Sequence, residues 1–149
     1  MYSVIKHLHS GFRYVVLLLV LIAIIGAFVG WFGKKNYTNG NRKLNLFAMI
    51  SVHTQILIGL ILYFISDFTK AAFANWGLAM KDATLRYWAL EHVVMMLLAM
   101  IIITIGHLKA KKPDSDVNKH RTIAIYYSLA LIIIVAAIFQ SGRPLLGSQ

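Results

Sequence analysis

An all-α, multi-pass membrane bundle is the fold class this sequence predicts, and three observations carry the prediction. Of the 149 residues, 59% are hydrophobic, and the mean hydropathy is +0.70. The apolar residues gather into four runs, at 12–32, 44–66, 85–107 and 122–140, each close to the ~20 residues that a bilayer core demands. Only two prolines interrupt the chain. No repeat, low-complexity tract or second domain is visible, so residues 1–149 read as one four-helix transmembrane domain of up-down connectivity.

The first run follows basic residues, MYSVIKHLHSGFRYVV, as the apolar part of a signal peptide would. It continues to Phe32 without a small-residue cleavage signal, so it reads as a retained helix. From His9, the 3.6-residue period collects Arg13, Val16, Val20, Ala23, Ala27 and Gly30 on one stripe. Small residues mark the packing face inside a membrane, which turns His9 and Arg13 into the bundle. The connection GKKNYTNGNRK at 33–43 is a hydrophilic Gly/Asn turn.

In the second run His53 shares a face with Met49, Ile56, Leu57, Leu60 and Phe64, while Ser51, Gln55, Gly59 and Ser66 lie nearly opposite. Polar groups on two faces are expensive in lipid. The helix is therefore expected to be covered on two sides, by its own bundle and by another membrane protein or a second copy. The alternative is that Gln55 bonds a neighbouring carbonyl. The stretch DFTKAAFANWGLAMKDAT at 67–84 suits either a short amphipathic helix in the headgroup region or an ordered loop.

The third run, LRYWALEHVVMMLLAMIIITIGH, carries Glu91 and His92 side by side. A carboxylate at mid-bilayer costs roughly 2.5 kcal/mol or more, which makes an intramembrane ionisable residue a functional candidate. The stripe through His92 collects Trp88, Met96, Ala99, Ile103 and Gly106. After the Pro-Asp-Ser-Asp breaker at 113–116, the fourth run offers Tyr126, Ala130, Ile133, Ala137 and Ser141, with no ionisable group in its core.

Orientation comes from the cations. Lys34, Lys35, Arg42 and Lys43 flank the first connection and Lys109, Lys111, Lys112 and Lys119 the third, whereas the middle one balances Lys70 and Lys81 against Asp67 and Asp82. The positive-inside rule puts those two connections in the cytoplasm and both termini on the outer side. The same rule accounts for the net charge of +10; no nucleic-acid motif accompanies it. The chain has no cysteine, which excludes c-type haem attachment, thiolate-held iron–sulfur clusters and disulfides.

At 1.5 Å per residue, His9 and His92 belong to the outer leaflet, on the first and third helices, which are diagonal in an up-down bundle. They meet a cofactor at one level if the first helix starts a turn earlier than its apolar run. His53 comes out on the order of 10 Å deeper, a poorer partner unless tilt closes the gap. A b-type haem needs two imidazoles, an apolar slot, and cations or donors for its propionates. Arg13, Arg86 and Arg143 stand at the outer ends of three helices as propionate partners; snorkelling to headgroups is the plainer account of each taken alone. Glu91 is rotated about 100° from His92. It either orients a histidine nitrogen, relays a proton to a quinone, or pairs with Arg86 or Arg13. His7, His107 and His120 read as interfacial residues, and Met95 and Met96 as filler. The helices lack the Glu-x-x-His and His-x-x-x-His pairs of di-iron and zinc sites, any nucleophile–base pair, and the polar lining of a channel in the inner half.

At LHSGFRY, KLNLFAMISVHTQILIGLILYF and MKDATLRYWALEHVVMM the chain resembles the short four-helix bacterial membrane proteins labelled "cytochrome B". The resemblance spans nearly the whole chain. It implies that His9, His53 and His92 are that family's histidines and that haem b is the cofactor. More remotely, the chain looks like one half of haem A synthase, although it holds a single Glu-His pair and no core histidine in its fourth run. The leading expectation is an electron-transfer protein that binds one haem b near the outer face and exchanges electrons with quinol or a partner. Against it stand a cofactor-free accessory subunit of a larger membrane complex, and a quinone site built from His53 or His92 with Glu91.

Overall fold

The computed structural model describes residues 1–141, and the described chain is helical almost throughout. Four rods are long and apolar enough to cross a membrane: α1 (Tyr2–Phe32), α2 (Asn39–Ile65), a third made of α5 (Ala83–Arg86), a π turn (Tyr87–Glu91) and α6 (His92–Lys111), and α7 (Asp116–Gln140). Between α2 and the third rod the chain forms α3 (Asp67–Ala74) and α4 (Trp76–Ala79). Of the two expectations for this stretch, helix is the one realised, in two pieces separated by Asn75.

Every rod starts earlier than its apolar run, because a hydropathy window misses polar first turns. Side-chain caps set three of those starts. Thr38 and Asn41 form a reciprocal capping box at α2, Asp82 accepts from the amides of Thr84 and Leu85 at α5, and Ser115 accepts from Asn118 at α7. The largest displacement is in α1, which begins at Tyr2 and not at residue 12. Its 31 residues span roughly 46 Å, well beyond a bilayer core of about 30 Å. Two to three extra turns therefore carry Lys6 and His9 within the helix. At its far end Lys34 adopts a left-handed conformation with φ 50°, and the Lys35 amide returns to the Gly30 carbonyl at 2.9 Å, closing the helix in a Schellman turn.

The rods form a ring in which α1 touches α2 and α7, and α6 touches the same two. Helices 1 and 3 of the sequence are thus diagonal. Connections of a few residues at 33–38 and 112–115 force antiparallel neighbours, and Tyr63 near the end of α2 bonds the Ala89 carbonyl at the start of the third rod. One end of the bundle holds residue 1, the 66–82 connection and the end of α7; the other, basic end holds the two short connections.

A single core draws on all four rods, with Val20, Ala23 and Ala27 of α1, Ala48 and Val52 of α2, Ala99 and Ile103 of α6, and Ala124, Tyr127 and Ala130 of α7. The small-residue stripes expected on α1 and α6 are the buried ones. On α7 the face is turned by one residue, burying Tyr127 and Ile134 where Tyr126 and Ile133 were expected. Tyr126 instead lies against α6 at Gly106, its Cβ so close that a second Cβ would stand 2.4 Å away. Leu18, Leu21, Ile25, Leu57, Ile61, Leu98, Ile101, Leu129 and Ile132 face outward, a surface that a bilayer satisfies and water does not.

Candidate functional site

At the end that holds residue 1, the four rods part to leave a partly open cleft with a cavity volume of about 170 Å³. His9 lines it from α1 and His92 from the diagonal rod; Lys6, Ser10 and Arg13 also line it, as do Gln55, Gly59 and Tyr63 of α2 and Tyr87, Trp88 and Met96 of the third rod. Valine, leucine and isoleucine from all four rods make up the rest of its deep wall.

The levels of the two histidines can be read along α2. The His9 ring lies against Gly59, where a Cβ would come within 3.1 Å of its Cε1, and the Gln55 side-chain amide donates to the His9 carbonyl at 2.7 Å. Tyr63, one turn beyond Gly59, reaches Ala89 at 2.7 Å, and His92 lies three residues past Ala89, back into the bundle. Both histidines therefore stand within about one 5.4 Å turn of the same level. The early start of α1 is what brings His9 into register.

His53 is placed elsewhere. Its Nε2 lies 2.7 Å from Thr104 Oγ1, and the Thr104 hydroxyl donates its single proton to the Met100 carbonyl at 2.6 Å, so His53 Nε2 carries the hydrogen and donates it. Thr104 lies twelve residues past His92, about 18 Å along the rod. His53 does not line the cleft; it clips α2 to α6. Gln55, on the opposite side of α2, is bonded to α1. Each of the two polar faces of α2 is thus met by a neighbour within the chain, His53 by α6 and Gln55 by α1, and the bond of Gln55 to a neighbouring carbonyl is the alternative its sequence position offered.

Glu91 is likewise turned away from the cleft. Its Oε1 pairs with Arg86 Nε at 3.0 Å, and Gln140 donates to Oε2 at 3.1 Å. Arg86 also donates to the Met80 carbonyl at 3.1 Å, tying the 66–82 connection to the rod. Of the three arginines, only Arg13 lines the cleft among the described residues, and Arg143 lies outside them. His7 sits on the exposed side of α1 and bonds the Ser3 carbonyl of its own helix. His107 and His120, expected at the interface, are instead buried at 1% and 2% exposure. His120 bonds the Asn36 carbonyl at 3.0 Å and fills the space over Gly30.

Sequence periodicity missed the π turn. The His92 amide bonds the Tyr87 carbonyl, five residues back, so residues five apart stack where an α-helix would stagger them by about 140°. Tyr87 and His92 consequently meet, with ring centroids 5.7 Å apart, and Trp88 flanks the imidazole at 5.2 Å. Arg86 and Glu91 pair across the same turn. No proline or glycine marks the segment, and no sequence signal would have found it.

Among the described residues no three His, Asp or Glu gather to hold a bare metal ion. The cleft offers two imidazoles, apolar walls, and two cations, Lys6 toward the end of the bundle and Arg13 one turn deeper than His9. Comparison with protein-family models, with curated proteins and with solved structures finds no match to this chain.

Proposed function

We propose that this is a b-type cytochrome-like electron-transfer protein of a bacterial inner membrane, with one haem held in the terminal-end cleft between His9 and His92. The observation that carries the reading is that these two imidazoles, from diagonal helices, line one cleft at one level. Such a group supplies one-electron redox chemistry when bound. His9 and His92 would hold it, Arg13 and Lys6 would meet its acidic side chains, and the apolar wall would exclude water. With the basic connections in the cytoplasm, the cleft opens toward the periplasmic leaflet, where quinol or a partner protein exchanges electrons with it.

The test is a reduced-minus-oxidised absorbance spectrum of protein purified in mild detergent from haem-replete cells. Sharp cytochrome bands are expected, absent in His9→Ala and in His92→Ala and retained in His53→Ala. A colourless wild-type protein overturns the proposal. It would favour a second reading, a cofactor-free accessory subunit, which is supported by the use of His53 and Gln55 as bonds between helices. A quinone site built on Glu91 has less support, since both carboxylate oxygens are held by Arg86 and Gln140 outside the cleft.

A further inference from the structure

Among the described residues, the phenol of Tyr87 lies against two hydrogen-bond partners. Its oxygen lies 3.2 Å from His92 Nδ1, and it makes a short hydrogen bond to the backbone carbonyl of Ala137 on α7. A carbonyl oxygen has no proton to give, so the one hydroxyl proton of Tyr87 goes to Ala137. The Tyr87 oxygen can then only accept from His92, which puts a hydrogen on Nδ1 and, in the neutral imidazole, leaves the lone pair on Nε2. The contact exists because the π turn stacks residues five apart. On a regular α-helix, the phenol and the imidazole would diverge.

We propose that Tyr87 is a positioning residue that fixes His92 in the Nδ1–H form and aims the Nε2 lone pair as an electron-pair donor. This rests on the cleft being a haem site for its consequence, but not for the protonation state itself. An imidazole that donates through Nδ1 is a more basic ligand through Nε2, and loss of such an outer partner typically costs roughly 10–100-fold in metal affinity. The donated hydrogen bond favours the more positively charged, oxidised iron. Its loss in Tyr87→Phe should therefore raise the midpoint potential. A tenfold loss confined to the oxidised form corresponds to about 59 mV for a one-electron couple.

Two readouts test this separately. Nitrogen-15 NMR of histidine-labelled protein in lipid, prepared without haem, reports which ring nitrogen of His92 is protonated. The expected result is Nδ1–H in wild type and in the control Tyr63→Phe, which removes a nearby phenol that bonds Ala89, and loss of that form in Tyr87→Phe. An Nε2–H wild-type His92 overturns the proposal even if no variant folds, and so does an unchanged Nδ1–H signal in folded Tyr87→Phe. Redox titration of haem-loaded protein then asks for the upward shift, and a potential equal to wild type overturns the positioning role. If the wild type binds no haem but shows the NMR pattern, the assignment of Tyr87 stands and the cytochrome reading alone fails.

Discussion

Two buried histidines at the basic end show how partners, not burial, decide what a polar side chain contributes. His120 bonds the Asn36 carbonyl through Nε2 and leaves only Nδ1 without a partner, whereas neither ring nitrogen of His107 has a hydrogen-bond partner among the described residues. An unsatisfied buried donor or acceptor costs roughly 1–3 kcal/mol, and an apolar group of similar shape can be neutral or better. His107→Leu is therefore expected to keep or raise the melting temperature in detergent. His120→Leu should lose roughly 1–3 kcal/mol by stranding the Asn36 carbonyl, visible as a lower melting temperature. Gly30→Ala gives a third check, because its Cβ would stand 2.4–2.5 Å from ring atoms of His120, and overpacking of that kind costs roughly 1–3 kcal/mol. Residue identity was enough to single out His9, Arg13 and His92, which all line the cleft. It did not tell a partnered histidine from an orphan, because that depends on which carbonyl of a distant loop lies opposite.

At the level of the single helix, periodicity served α1 and α6 well, since a regular 3.6-residue repeat carries small residues onto one side. It failed where the repeat itself changes. The π turn adds one residue to the third rod and re-aims the side chains on either side of it, while its sequence YWALE is ordinary helix-forming material. Deleting Trp88 should restore a regular helix in which Tyr87 and His92, and likewise Arg86 and Glu91, stand four residues apart and about 40° from alignment, so both pairs stay on one face. Circular dichroism of that deletion is expected to remain helical with the Arg86–Glu91 pair kept; loss of helicity would show that the segment does not tolerate an α-helical register. The early start of α1 was invisible for a different reason. Its first turns are polar and lie beyond the stretch that lipid selects, so hydropathy has no purchase on them, yet they carry Lys6 and His9, which line the cleft.

Taken as a whole, the bundle is a ring whose one end is basic and whose other end opens into the cleft. Ring order came from connection lengths, which short loops made legible, whereas the crevice between the rods comes from side-chain volumes summed over four helices and has no trace in any one of them. The chain has no cysteine, so single cysteines report topology cleanly. Cysteines at Lys35 and Lys112 are expected to react with membrane-impermeant maleimide only after the cytoplasmic face is exposed, and one at Lys70 in intact spheroplasts; the reverse pattern would turn the cleft toward the cytoplasm. Electron paramagnetic resonance of the oxidised protein reaches the central claim most directly, because it reports the ligands of the iron itself. A low-spin ferric signal of two imidazoles is expected, kept in His53→Ala and lost in both His9→Ala and His92→Ala. Absence of that signal in haem-replete wild type, or its survival in His9→Ala, would contradict the pairing of these two residues across the bundle.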